Sequence, residues 1–187
     1  MKSPWIWLVV LWIGVDAWLA RWWWERRREQ RAEVHILGAA RRYEMDPALV
    51  KAVVWRESRF HEDARGTSGE VGLMQVGALA AREWAEAEKM AGFQHLDLLD
   101  PARNALAGTW YLARLLRRYP QTDNPVAYAL ADYNAGRVNV LRWLKGPAAT
   151  NSTAFLEAMD FPTTRRYVES VLERRAEYQG MFPRPGQ

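Results

Sequence analysis

The sequence contains no cysteine and only three histidines among its 187 residues. Without cysteine, the chain has no disulfide framework, no thiol nucleophile and no thiolate-bound metal. The histidines are His35, His61 and His95, and they are too widely scattered to predict a zinc site. We therefore expect no metal centre.

Alternating β-branched runs are also missing, so we predict no β-strands. Helix starts are frequent, and three of them combine an N-cap residue with a following proline: Asp46-Pro47, Asp100-Pro101 and Asn124-Pro125. These starts predict helices at 47–58, 101–118 and 125–133. Further helices are expected at 73–90, 137–144 and 163–179, which together make a compact all-α domain.

Net charge is almost absent from most of the chain. Residues 1–42 carry eight basic and four acidic side chains, which accounts for the whole formal charge of +4. Residues 43–187 carry eighteen of each sign. A neutral body offers no electrostatic footprint for nucleic acid, so a nucleic-acid partner is not expected.

Tryptophan is concentrated at the N-terminus, where the first 24 residues hold seven of the eleven. The run PWIWLVVLWIGVDAWLA would span about 25 Å as a helix, and the flanking RWWWERRR is typical of a membrane interface. We predict a transmembrane signal-anchor at 1–24, a charged helical stalk at 25–42, the main domain at 43–180 and a tail at 181–187. A cleaved signal peptide ending at Ala17 is the competing interpretation.

Glu57 occupies an unusual place, at the C-terminal end of the predicted helix 47–58. The negative pole of the helix dipole disfavours an ionised carboxylate there, and the apolar neighbours Val53, Val54 and Phe60 desolvate it further. Both effects raise the pKa of a glutamate, as a general acid requires. Alternatively, Glu57 is a surface residue paired with an adjacent arginine.

Two later segments carry polar side chains in unusual settings. In GEVGLMQV, Gln75 lies among apolar residues, so its amide must bind either the backbone or a ligand with acetamido groups. In ALADYNAG, Gly136 suits a helix C-terminus, which places Tyr133 and Asn134 where side chains often face a cleft.

Taken together, these segments resemble the lytic transglycosylases, and in particular the catalytic domain of the soluble type, which is related in fold to goose-type lysozyme. The resemblance covers residues 35–178 and depends on five ordered segments: VKAVVWRESRF, VGLMQV, DPARNALAGTWYLARLL, ALADYNAG and PTTRRYVESVL. It implies a lysozyme-like helical domain.

The resemblance also implies roles for individual positions. Glu57 matches the sole catalytic acid and base of the family. Eight further positions match residues that fix the helix end or bound the glycan groove, and these are Ser58, Gly72, Leu73, Met74, Gln75, Tyr133, Asn134 and Tyr167.

The chain departs from the family pattern at several positions near these residues. Gly66 stands where a serine is common, Thr163 where a glutamate is usual, and Asp132 where a small residue precedes the tyrosine. The run VGALAA lacks the proline that usually follows the glutamine. We expect these changes to affect substrate contacts rather than the acid.

The implied activity is cleavage of the β-1,4 bond between N-acetylmuramic acid and N-acetylglucosamine in peptidoglycan, with a 1,6-anhydromuramoyl product and no cofactor. A hydrolytic muramidase is an alternative, with a second carboxylate from Asp132, Glu62 or Asp63. Each of those three is also interpreted as a solvated surface charge. The other alternative is a non-catalytic peptidoglycan-binding protein of envelope assembly.

The substrate conflicts with the charge pattern over orientation. Peptidoglycan lies outside the cytoplasmic membrane, so we expect a membrane-anchored body that faces the periplasm or cell exterior. The arginine-rich flank after the anchor predicts the opposite orientation. A partner in the machinery of the cell envelope is possible in this location, and the sequence names none.

Overall fold

The computed structural model describes residues 4–182, and eight α-helices account for most of this range. The all-α prediction is confirmed, because β pairing within the range is limited to the isolated bridges Arg65–Val71 and Val71–Val76. Two 3-10 helices lie at His95–Leu99 and Gly146–Ala149. The α-helices are α1 (Pro4–Arg42), α2 (Pro47–Ser58), α3 (Ala78–Ala87), α4 (Pro101–Leu116), α5 (Pro125–Ala135), α6 (Arg137–Trp143), α7 (Ser152–Ala158) and α8 (Pro162–Gln179).

Helix α1 is uninterrupted, so the predicted boundary between anchor and stalk lies within one continuous element. Its C-terminal part packs against α2 and α4 and buries Ala32, Ile36, Ala39 and Ala40. Its earlier turns leave six tryptophans exposed, which are Trp5, Trp12, Trp18, Trp22, Trp23 and Trp24. No helix within residues 4–182 has a segment that is both long and apolar enough to cross a bilayer. Residues 1–3 of the predicted anchor and 183–187 of the predicted tail lie outside the described range.

Two of the three predicted N-caps make the expected side-chain hydrogen bond. The Asp46 carboxylate accepts from the Ala48 N–H at 2.9 Å, and the Asp100 carboxylate accepts from the Arg103 N–H at 2.8 Å. Asn124 precedes α5 but its side chain makes no capping bond. In all three helices, proline at the first position fixes a helical φ and needs no hydrogen-bond acceptor.

Helix α2 is enclosed by the rest of the domain, since residues 48–54 are all buried. It packs against α1 and α8, and α8 also packs against α5. Lys51 is buried within this arrangement, where its ammonium group pairs with Glu29 and Glu33 of α1 at 2.9 and 2.8 Å. The packing therefore fixes the position of α2, and the end of α2 that carries Glu57 lies against α8.

The helix predicted at 73–90 is wrong over its first five residues, because α3 begins only at Ala78. Gly72 and Gln75 have φ angles of 76° and 46°, which a right-handed helix does not accommodate. Helix α7 and both 3-10 helices were not predicted. Each is seven residues or fewer, too short for a periodic apolar pattern.

Candidate active site

Helix α2 ends at Glu57 and Ser58, as the sequence predicts. The Ser58 hydroxyl donates to the Val54 carbonyl at 3.2 Å, which satisfies an acceptor in the last turn. The next two residues, Arg59 and Phe60, both have positive φ, at 51° and 63°. The chain therefore turns away abruptly and leaves the Glu57 side chain at the helix end.

Glu57 is only partly exposed, and its carboxyl group is paired with a tyrosine. The Tyr167 hydroxyl of α8 donates to Glu57 Oε1 at 2.5 Å. Burial raises the pKa of Glu57 to about 7, while the Tyr167 hydrogen bond and the charge of Arg56 act in the opposite direction. The carboxyl group is thus held near its midpoint at neutral pH, which suits a group that must both donate and accept a proton.

Tyr167→Phe tests this balance. The hydrogen bond favours the ionised carboxylate, so its loss should raise the pKa of Glu57 above 7 and make the group about tenfold weaker as an acid. Titration of the labelled Glu57 carboxyl carbon by NMR measures the change. Tyr128→Phe removes another buried tyrosine hydroxyl, one that binds the Ala148 carbonyl, and should leave the pKa of Glu57 in place. An equal shift in both variants would contradict a specific contact.

Glu57 also makes the stability of the fold depend on pH. The folded-state pKa lies above the ordinary value of 4.5, so ionisation is harder in the folded chain than in the unfolded one. This contribution to the free energy of unfolding is therefore present below about pH 4.5 and is lost as the pH rises through about 7.

The segment Gly72–Gln75 is held in place by Asn104 of α4. Asn104 Oδ1 accepts from the Met74 N–H at 2.8 Å, and its amide nitrogen donates to the Val71 and Leu98 carbonyls at 2.7 and 2.9 Å. Gly72 has a φ of 76°, and a Cβ there would lie 2.2 Å from Asn104 Nδ2. Only glycine permits this approach.

Leu73 and Met74 have fully buried side chains and belong to the core. Only their main-chain atoms could therefore contact a substrate. The Met74 carbonyl accepts from the Tyr133 hydroxyl at 2.8 Å, which ties the segment to α5.

Gln75 is half-buried, and its amide nitrogen donates to the Ala64 and Gly72 carbonyls at 3.1 and 2.9 Å. The sequence analysis allowed either the backbone or a ligand as the partner of this amide. The structure shows that the amide nitrogen binds the backbone. No hydrogen bond within the described part of the chain reaches Gln75 Oε1. The carbonyl side of the amide remains available to a ligand.

Tyr133 and Asn134 lie in the last turn of α5, which ends before Gly136 at a φ of 81°. The ring of Tyr133 packs against that of Tyr111 with centroids 5.7 Å apart. Asn134 is exposed, and its Oδ1 accepts from Thr164 of α8 at 2.9 Å. Burial raises the pKa of Tyr133 well above its ordinary value, so its hydroxyl remains a proton donor.

A cavity of about 210 Å³ opens beside these residues, and we call it the Gln75 cavity. It is lined by Glu70, Gln75, Val76, Gly77, Leu79, Ala80, Tyr111 and Tyr133. The predicted positions Gln75 and Tyr133 thus share one concave surface. Sequence reasoning missed Glu70 and Tyr111, although an acidic residue between two glycines in GEVG was a signal that could have indicated Glu70.

Asp132 is not the solvated surface charge that the sequence suggested. Only 1% of its side chain is exposed, and Oδ2 accepts from the Tyr119 hydroxyl at 2.7 Å and from Arg118 at 2.9 Å. These bonds join the turn that follows α4 to α5, and they make Asp132 part of a structural ion pair. Asp63 is exposed, and Glu62 is partly exposed in a separate cavity beside Trp24.

Known proteins resemble this chain in sequence. Residues 35–156 match the family model described as the transglycosylase SLT domain. The soluble lytic murein transglycosylase of Escherichia coli K12 is 32% identical over 138 residues, which are 73% of this chain and 21% of that protein. The membrane-bound lytic murein transglycosylase C of Klebsiella pneumoniae is 37% identical over 110 residues, 56% of this chain and 31% of that one.

Solved structures show the same fold. The lytic transglycosylase Slt of Pseudomonas aeruginosa superimposes with a TM-score of 0.71 and 26% identity, over 79% of this chain and 24% of that one. The soluble lytic transglycosylase of Escherichia coli gives a TM-score of 0.70 and 27% identity, over the same shares. The chain spans about a fifth of the length of the curated relative from Escherichia coli, 21%. The lysozyme-like helical fold is confirmed, and since the family model covers well over half of its residues, the chain belongs to the transglycosylase SLT domain family.

Proposed function

We propose that the chain is a peptidoglycan lytic transglycosylase that cleaves the β-1,4 bond between N-acetylmuramic acid and N-acetylglucosamine. The observation that carries this proposal is the single carboxyl group at the end of α2. It is desolvated, hydrogen-bonded to Tyr167 and has a pKa of about 7. The relatives named as lytic murein transglycosylases support the same activity.

In the proposed reaction, Glu57 donates its proton to the glycosidic oxygen while the bond from that oxygen to C1 of the muramoyl residue breaks. The acetamido group of the substrate stabilises the positive charge that develops at C1. The Glu57 carboxylate then removes the proton of the C6 hydroxyl, and O6 forms the new bond to C1. Glu57 ends as it began, and no water is consumed.

The products of purified peptidoglycan test this reaction. We expect 1,6-anhydromuramoyl ends, identified by mass spectrometry as a loss of water relative to reducing ends. Reducing ends that take up ¹⁸O from labelled water would instead identify a hydrolase, and uncleaved strands would support the non-catalytic alternative. The muramidase alternative is weakened by the structural ion pair of Asp132, which removes one of its three candidate second carboxylates.

We also propose that residues 1–24 anchor the chain to the cytoplasmic membrane and that the main domain, 43–180, faces the periplasm or cell exterior. The exposed tryptophans of α1 support this location, since tryptophan favours the membrane interface. Membrane-bound lytic transglycosylases among the relatives also support it. A topology reporter fused after residue 187 tests this orientation. A signal showing that the C-terminus lies in the cytoplasm would contradict both the proposed location and the proposed function.

A further inference from the structure

A larger cavity, of about 840 Å³, lies between α1, the end of α2 and α8, and we call it the arginine cavity. Among the described residues, its lining includes neither Glu57 nor any residue of the Gln75 cavity. One wall is a single face of α1, since residues three or four positions apart lie on the same side of a helix. Four charged side chains form that wall, and these are Arg21, Glu25, Arg28 and Glu29. The rest of the lining includes Trp55, Arg59 and Arg174.

The arginine cavity has an excess of positive charge, because its four arginines outnumber its two glutamates. Both glutamates are already paired. Glu25 binds Arg21, and Glu29 binds Lys51, each at 2.9 Å. Two of the arginines form no ion pair within residues 4–182, and these are Arg28 and Arg59. The described part of the protein therefore leaves two positive charges of the cavity unneutralised.

Two guanidinium groups converge on the ring of Trp55. The Cζ atoms of Arg59 and Arg174 lie 3.6 and 4.1 Å from the ring centroid. Burial lowers the pKa of Arg59, and the positive charges of Arg174 and Arg56 lower it further. Like charges held this close repel one another, so an anion bound in the cavity would stabilise the arrangement.

The cavity walls also carry hydrogen-bond donors that have no acceptor. The Nε atoms of Arg28 and Arg174 are buried, and neither makes a hydrogen bond within the described part of the chain. Arg174 binds Glu177 through Nη1 instead, at 2.6 Å. A buried donor without an acceptor is costly, so these two N–H groups indicate a ligand that supplies acceptor oxygens.

Phosphate is the anion that suits this arrangement. A guanidinium group presents parallel N–H donors that match phosphate oxygens, and a phosphate has enough acceptor oxygens to bind several guanidinium groups at once. We propose that the arginine cavity binds a phosphate group, supplied either by the headgroup of an anionic phospholipid or by a soluble phosphate ester. This site is additional to the proposed catalytic site and does not depend on Glu57.

The position of the cavity on α1 favours the phospholipid. Trp18 lies one turn before Arg21, and three further exposed tryptophans follow at 22–24. Tryptophan is enriched at the level of the lipid headgroups, and arginines near a membrane surface attract anionic lipids. With the proposed anchor in place, the arginine cavity lies where headgroup phosphates lie. A bound headgroup would bridge α1, α2 and α8 and hold the main domain against the membrane surface.

NMR of the full chain in uncharged detergent micelles tests this site, because the Nε–H signals of Arg28 and Arg174 report binding inside the cavity. The probes are inorganic phosphate, phosphatidylglycerol mixed into the micelles, and phosphatidylcholine mixed in at the same fraction. We expect phosphatidylglycerol to shift both signals and to weaken the response to inorganic phosphate about tenfold by competition, while phosphatidylcholine shifts neither. A shift with inorganic phosphate alone would identify a soluble phosphate ester and overturn the lipid source. A response to neither anionic probe, or an equal response to phosphatidylcholine, would overturn the site.

Three variants complete the test. Arg28→Gln and Arg59→Asn each remove one guanidinium group and should weaken the response of Arg174 to phosphatidylglycerol about tenfold. Asparagine suits the φ of 51° at position 59, so Arg59→Asn keeps the test decisive if Arg28→Gln folds poorly. Arg26→Gln removes the same charge from α1 outside the cavity, and at about 0.15 M salt it should change the response less than about threefold. Unchanged binding in Arg28→Gln and Arg59→Asn, or an equal loss in Arg26→Gln, would contradict the proposal.

Discussion

Glu57→Gln should lower the rate of peptidoglycan cleavage at least about a thousandfold while the chain still folds. Glutamine keeps the size of the side chain but can neither donate nor remove the proton on which both steps depend. It also removes a buried group whose ionisation is unfavourable in the folded state, so the free energy of unfolding at pH 8 should not fall. Release of soluble muropeptides measures the rate, and urea denaturation measures stability.

The matched variant is Glu62→Gln, five residues further along the chain and outside the Gln75 cavity. It should retain nearly all of the activity. Substantial turnover by Glu57→Gln would remove Glu57 from the reaction, and comparable losses in both variants would indicate a two-carboxylate mechanism in place of the one proposed.

Asn104→Ala should lower the free energy of unfolding by about 3 kcal/mol, the largest effect on stability that we expect from a single polar residue. Asn104 is fully buried and makes three hydrogen bonds, to Met74, Val71 and Leu98. Alanine would leave the Met74 N–H and the Leu98 carbonyl without these partners and would remove one of two donors from the Val71 carbonyl, which still accepts from the Val76 N–H at 3.1 Å. Each lost hydrogen bond costs on the order of 1 kcal/mol. Urea denaturation of the two proteins provides the comparison.

Asn139→Ala is the control for this change, since Asn139 is half-buried and makes one hydrogen bond, to the Ala135 carbonyl. Its cost should stay below about 1 kcal/mol. Equal costs for the two variants would show that Asn104 does not hold the Gly72–Gln75 segment in the way its contacts suggest.

Local signals in the sequence predicted most of the helices. Asp46-Pro47 and Asp100-Pro101 predicted the starts of α2 and α4 at the residue, because capping and proline geometry act within three residues. The start of α3 was wrong, since the conformation of Gly72–Gln75 is imposed by Asn104, thirty residues away in the chain at Met74. A contact between residues so far apart in the chain leaves no periodic pattern in the local sequence.

The candidate site shows the same division. The position of Glu57 at a helix end followed from its own segment, but the Tyr167 hydroxyl that binds it comes from 110 residues further on. Asp132 was interpreted as solvated because nothing in ALADYNAG indicates that Arg118 and Tyr119 enclose it.

Helix α1 runs from the tryptophan-rich N-terminal turns into the packed body without a loop, over 39 residues or about 58 Å. A flexible linker would allow the proposed cleft to take many distances from the support. A continuous helix instead fixes both the distance and the tilt of the proposed cleft relative to the surface that holds the first turns of α1. With residues 1–24 held in a membrane as proposed, only a short stretch of α1 separates that support from the buried Ala32, so the proposed cleft would lie at a fixed height close to the membrane surface.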